Sequence, residues 1–258
     1  MNAMSASRGT VPAHLPLASA LACEMAMLDA VAKQPGHYHH LVWECQRCIV
    51  VPRRLSMLDR FADACAPLRE RGFPVFIRET GGDAVVQGPG IVNVSIAFAV
   101  PSTGPDRIRA AYARLCTPLV EILGRQGIEA AAGTVPGSMC DGAYNVVVGG
   151  CKLAGTAQRW RVLRSEDCEG GHAALAHLAV SVDADHAAAC DAVNALYAGL
   201  GIAERVNAGC HINWLDLIPK ADHAIRAAFL AELASAYRGL RTRPESRWQQ
   251  AGILTHDH

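Results

Sequence analysis

Lys152 is the residue of this chain whose setting most demands a chemical role. It follows Gly149-Gly150-Cys151 and opens the string Lys-Leu-Ala-Gly-Thr-Ala-Gln that runs to Gln158. A Gly-Gly turn at that point joins residues 144–148 to residue 153 onward as a hairpin, so strands fix the place of the lysine. Its neighbours Val146, Val147, Val148, Leu153 and Ala154 are apolar, and an ammonium among them is costly unless an anion answers it. Upstream, residues 78–90 read Arg-Glu-Thr-Gly-Gly-Asp-Ala-Val-Val-Gln-Gly-Pro-Gly. Gly81, Gly82, Gly88 and Gly90 remove side chains where backbone amides meet a phosphate or carboxylate, and Asp83, Ala84 and Val85 continue that loop. Arg78 closes the segment before it, a position suited to gripping an anion with two parallel bonds or to a structural ion pair. Cys140 lies twelve residues before Lys152 in Met-Cys-Asp-Gly, and a thiolate beside an ammonium is a competent acyl acceptor. Strand alternation turns its rival Cys151 away from Lys152.

The ordered pair of segments resembles the catalytic module of lipoate-protein ligases, octanoyl- and lipoyltransferases and, more distantly, biotin-protein ligases. In that superfamily an Arg-x-x-Gly-Gly-Gly-like loop precedes a strand reading Gly-x-Lys-hydrophobic-small-Gly, then Ser or Thr, then Ala-Gln. Here both occur in that order, roughly seventy residues apart. The resemblance spans residues 18–215 and implies an α+β fold, a mixed, mainly antiparallel sheet packed by helices, in one catalytic domain over 1–258 with a short helical C-terminal tail.

The resemblance also implies roles. Lys152 contacts the acyl carbonyl or the donor phosphate, Thr156 and Ala157 add backbone and hydroxyl contacts, and Gly155 lets the donor pass. His177 sits on the strand that lines the acyl pocket in relatives, with a satisfied core histidine as the alternative. In the transferase branch a loop cysteine before the lysine carries the acyl group as a thioester, the role carried over to Cys140. That route attaches octanoate or lipoate to a lysine of a lipoyl-carrier domain, from a 2-oxoacid dehydrogenase or a glycine-cleavage protein, with acyl carrier protein as a donor and no cofactor. The ligase branch instead forms an acyl-adenylate with ATP and magnesium, and Tyr144-Asn145 resembles the pair whose asparagine faces the nucleotide there. Two departures stand out: Asp83 replaces the third loop glycine, and Gln87 replaces a frequent histidine. Asp83 opposes a phosphate unless its carboxylate faces outward, and it leaves a third reading, a non-catalytic binding protein that keeps the pocket.

Composition sets bounds on partners. Lys plus Arg and Asp plus Glu are 24 each, so no net field recruits nucleic acid or an anionic membrane. There is neither an apolar run of 18 residues nor a secretory signature at the start, which makes the cytoplasm the expected location. The ten cysteines then read as reduced thiols, and Cys45-Gln-Arg-Cys48 as strand residues more than a zinc knuckle.

The elements that must position these residues alternate. Helices are expected over 17–32, from a capping box at Ser56–Asp59 to Gly72, and over 106–126, 184–200 and 221–238. Strands are expected over 41–51, 75–78, 91–100 and 173–182, with Asn93 and Ser95 on one face of the third. The basic stretch from Arg238 through Arg241, Arg243 and Arg247 reads as a solvated tail or as a surface for an acidic acceptor domain.

Overall fold

The computed structural model describes residues 12–78, 81–100, 107–163, 171–219 and 222–240. Glu79 and Thr80 of the glycine loop, the helix starts at Asp106 and Ala221, the opening residues and Arg241, Arg243 and Arg247 lie outside them. Among the described residues ten strands form two sheets. The larger contains β1 (Ala13–His14), β2 (His39–Glu44), β6 (Ile91–Val100), β7 (Ala131–Gly133), β8 (Asn145–Val148), β9 (Cys151–Val162) and β10 (His172–Ser181). They are ordered β1-β2-β6-β10-β9-β8-β7, and every pairing except β1 with β2 is antiparallel. In the smaller sheet β3 (Cys48–Pro52) runs parallel to β4 (Val75–Arg78) and antiparallel to β5 (Val85–Gln87). This is the mixed, mainly antiparallel α+β architecture expected from the resemblance.

The two faces of β6 and β10 explain why both read as nearly continuous apolar runs. Val92, Val94, Ile96 and Phe98, with Ala174, Ala176, Leu178 and Val180, pack against α4 (Arg107–Arg125) and α6 (His223–Gly239). Phe229, Leu233 and Tyr237 of α6 lie inside this core, so the last helix is an integral layer where a tail was expected. On the opposite face Ala97, Ala173 and Leu175 meet Leu28 and Val31 of α1 (Leu17–Lys33). The smaller sheet packs with α3 (Phe61–Glu70) and α5 (His186–Gly199) in a separate cluster.

One expected helix start is corrected. The Ser56 hydroxyl donates to the Arg53 carbonyl at 2.8 Å and belongs to α2 (Arg53–Ser56), a single turn. Helix α3 begins five residues later at Phe61, after Arg60, with no side-chain cap. The hydroxyl was satisfied by the turn behind it, so no capping box formed.

Candidate active site

Residues from both sheets and α1 line a cavity of about 440 Å³, within the range usual for small-molecule sites. Leu17, Leu21, Trp43, Ile91 and Leu175 make much of its wall apolar. Arg78, Gly82, Cys140, Lys152 and His211 contribute to the same lining, so the chemistry-bearing segments separated in sequence converge here.

The hairpin forms as its glycines require. Gly149 and Gly150 have φ +56° and +79°, the left-handed pair of a two-residue turn that matches strand twist. A register shift between Val146 and Val147 follows, leaving Val147 opposite Lys152. Lys152 is only 6% exposed, and its Nζ donates to the Met139 carbonyl at 2.6 Å and the Cys140 carbonyl at 2.9 Å. Burial holds the ammonium below its usual pKa range, with Cys140 and Asp141 acting in the opposite direction. A Cβ at Gly155 would lie 3.1 Å from Lys152 Cε and 3.3 Å from Nζ. Gly155 therefore makes room for the lysine itself, and it lies in the cavity lining.

Cys140 is the only non-glycine residue with positive φ, at 48°, among the described residues. That conformation is disfavoured for a side chain with a Cβ and persists only where surroundings impose it. Its sulfur accepts from the Asp83 backbone N–H at 3.2 Å. A Cβ on Gly82, whose φ is +95°, would come within 2.7 Å of that sulfur, whereas Gly81 faces open space. The second loop glycine is thus the space in which the thiol sits.

Arg78 braces the glycine loop and lies in the cavity lining. Its guanidinium donates to the carbonyls of Val50 at 3.0 Å, Gly81 at 2.9 Å and Asp83 at 2.7 Å. Burial lowers its pKa while Cys140, Asp83 and Tyr197 oppose the shift. The Asp83 carboxylate pairs with Arg54 and is 45% exposed, and Asp83 is not among the residues that line the cavity. Ala84 is fully buried behind the loop, its N–H 3.3 Å from the Tyr197 hydroxyl; of the three loop residues expected at the ligand, Val85 alone reaches the lining.

Asn145 is buried and donates through Nδ2 to Asp141 Oδ1 at 2.8 Å. The same carboxylate oxygen accepts from the Val135 and Gly142 amides, which ties the Cys140 loop into one unit. Thr156 spends its hydroxyl on the Tyr144 carbonyl at 3.0 Å, and Ala157 lies in the lining opposite His177. Cys151 points to the Gly209 carbonyl, away from Lys152.

His177 belongs to a polar network on the α1 side of the sheet. Its Nδ1 lies 2.7 Å from Glu24 Oε1, and Nε2 lies 3.0 Å from Asn93 Oδ1. Ser95 donates to Glu24 at 2.5 Å, and Asn93 donates to Gln87 at 2.8 Å. Burial pushes the Glu24 carboxyl up, yet the charge of His177 and bonds from His177, Ser95 and Trp43 outweigh it and leave the net shift downward. His177 lines the cavity, and both of its ring nitrogens have partners. Sequence reading missed Glu24, although one carboxylate inside an apolar helical stripe is its signal. It also missed Asp141, although Asp141 adjoins Cys140 in sequence, and Arg54 and His211, which no spacing links to the site.

Cys45 and Cys48 are buried as free thiols. Among the described residues no group of three or more His, Cys, Asp or Glu side chains is placed to hold a metal ion, and no helix is long and apolar enough to cross a membrane.

The sequence profile of the lipoyl protein ligase A/B catalytic domain matches residues 16–202. An octanoyl-[GcvH]:protein N-octanoyltransferase of Kyrpidia tusciae is 34% identical over 84% of this chain and 74% of its own length. An uncharacterized protein of Cupriavidus necator is 32% identical over 83% of this chain and 88% of its own. Among solved structures, lipoate-protein ligase A bound with ATP superposes with a TM-score of 0.59 at 17% identity, over 90% of this chain and 93% of that one. The bipartite lipoate protein ligase of Thermoplasma acidophilum gives 0.56 at 18% identity, over 95% and 96%. At these identities the structural likeness speaks for the fold.

Proposed function

Because the chain belongs to the lipoyl protein ligase A/B catalytic domain family and is an enzyme of it, we propose that it transfers an octanoyl or lipoyl group to a lysine of a lipoyl-carrier domain through a thioester on Cys140. The observation that carries this reading is the Cys140 sulfur, held in the cavity lining beside the glycine loop by a backbone N–H, with the Lys152 ammonium on the backbone carbonyl of the same residue. The named relative moves octanoyl groups from GcvH to protein nitrogen, by its name.

Two balanced steps follow. The thiol loses its proton and attacks the donor acyl carbon; the acyl bond to the donor carrier breaks, and the carrier's departing atom takes a proton. The acceptor lysine amine then attacks the thioester carbon, forming the amide and returning the thiol. Lys152 has three N–H donors, of which two hold carbonyls; the third is available to a donor oxygen as it gains charge. The apolar wall takes the acyl chain.

The adenylate route is the second reading, favoured by the Asp83 carboxylate, which pairs with Arg54 outside the cavity lining and leaves the glycine loop open to a phosphate. Against it, Asn145 spends its amide on Asp141. Incubation with an octanoyl-carrier thioester and a lipoyl domain, without ATP or magnesium, followed by intact mass of the lipoyl domain, separates the two. Added octanoyl mass supports the transferase; modification only with lipoate, ATP and magnesium selects the ligase.

A further inference from the structure

The peptide that carries Cys140 is held from three directions, and only two of them belong to Lys152. The Met139 N–H donates to His211 Nε2 at 3.1 Å, while Lys152 takes the carbonyls on either side of the Cys140 nitrogen and α-carbon. The tautomer of His211 follows from its other contact. Nδ1 lies 3.0 Å from the Asn207 carbonyl, which can only accept, so Nδ1 carries the proton and Nε2 is left with its lone pair.

His211 is itself anchored to the hairpin. The Ile212 N–H donates to the Lys152 carbonyl at 3.1 Å, and the Asn207 N–H donates to the Gly137 carbonyl at 2.8 Å. His211 also bridges Lys152 in the parallel sense. The segment follows α5 and lies beyond residue 202, where the family profile ends.

We infer that His211 is a positioning residue for acyl transfer, a neutral imidazole whose Nε2 lone pair fixes the Met139–Cys140 backbone and with it the place of the sulfur. This rests on Cys140 being the nucleophile. The left-handed Cys140 backbone relaxes if Met139 N–H loses its acceptor, and small displacements of a nucleophile cost large factors in rate.

The groups around the ring favour the neutral form. From α5 the His186 ring stacks on it at 5.1 Å and Cys190 Sγ lies 4.0 Å from Nδ1; from β9 comes the Lys152 ammonium. The nearby carboxylates Asp216 and Asp185 act on His186. Burial first, then His186 and Lys152, lower the His211 pKa to about 4 against the pull of the Asn207 and Ala208 carbonyls. Protonation there sets an N–H against the Met139 N–H.

The test is single-turnover acylation of Cys140 by an octanoyl thioester, followed by intact and peptide mass over a pH series, in the parent, His211→Leu and His211→Gln. His211→Leu is expected to slow acylation about tenfold or more with donor affinity unchanged. His211→Gln keeps an acceptor that cannot be protonated; it is expected to restore most of that loss and to abolish the extra fall in rate that the parent shows near pH 4. Acylation of His211→Leu at the parent rate, or a His211→Gln profile that keeps the parent's steepening in acid, overturns the inference. If His211→Leu does not fold, the His211→Gln profile alone decides. A parent that forms no adduct on Cys140 overturns the nucleophile and this inference with it, whereas adducts forming equally in all three proteins overturn only the role of His211.

Discussion

The cavity joins two polar regions built in opposite ways. Around Cys140 the contacts run through backbone atoms: Lys152 and Arg78 hold carbonyls, Asp83 offers an amide, and glycines leave the space. Around His177 the contacts run between side chains, Glu24, Ser95, Asn93 and Gln87 satisfying one another across α1 and the sheet. A backbone-held site is sensitive to shape and tolerates few substitutions at its glycines. A side-chain network is sensitive to charge balance, because removing one member leaves a buried partner unanswered.

The largest effect short of the nucleophile belongs to Lys152. Lys152→Ala is expected to lower the rate of transfer about 10²–10³-fold and, because it leaves the Met139 and Cys140 carbonyls without their donor, to cost about 1–3 kcal/mol of stability. Lys152→Arg should rescue poorly, because a planar fork cannot lie over Gly155 where the ammonium chain passes. Steady-state kinetics with a lipoyl-domain acceptor measures both, and near-parental turnover of either variant would break the backbone-held half of the comparison.

The next effect separates neighbours. Gly82→Ala forces a Cβ to 2.7 Å from the Cys140 sulfur at φ +95°, whereas Gly81→Ala enters open space. The first is expected to cost about 1–3 kcal/mol of stability, read by denaturant unfolding, and to suppress acylation. Gly81→Ala should match the parent within about 0.5 kcal/mol. Equal behaviour of the two would show that the loop glycines are turn residues only.

The side-chain network predicts a loss of stability that exceeds the loss of rate. Glu24→Gln breaks a buried pair and is expected to destabilise by about 3 kcal/mol. The Glu24 carboxyl has a lowered pKa in the fold, so its contribution is present above its usual value near 4.5 and is lost as pH falls through the lower folded value. His211, lowered from 6.5 to about 4, costs stability already between those pH values, because the unfolded chain takes the proton first. Unfolding curves from pH 7 downward should therefore flatten first in His211→Gln, between pH 6.5 and 4, and only below pH 4.5 in Glu24→Gln.

Much of this was legible in residue order. The strands Val75–Arg78 and Ile91–Val100 begin and end where alternation and glycines place them, and the Lys152 hairpin follows from Gly149-Gly150 because turn chemistry is local. The pairing of Gly82 with the Cys140 sulfur was not legible, since 58 positions separate them and only the tertiary fold sets glycine against thiol. His211 was hidden for the same reason: a histidine in an irregular connection carries no periodicity. Ser56 misled because a hydroxyl satisfies the turn behind it as readily as the helix ahead.

The most direct measurement mixes the enzyme with an octanoyl donor and no acceptor, then maps the acyl group by peptide mass before and after hydroxylamine. The account predicts a hydroxylamine-labile octanoyl adduct on Cys140, absent in Cys140→Ala, with transfer to a lipoyl domain lost in parallel. A Cys140→Ala enzyme that still modifies the lipoyl domain, with no adduct on the parent cysteine, would contradict it.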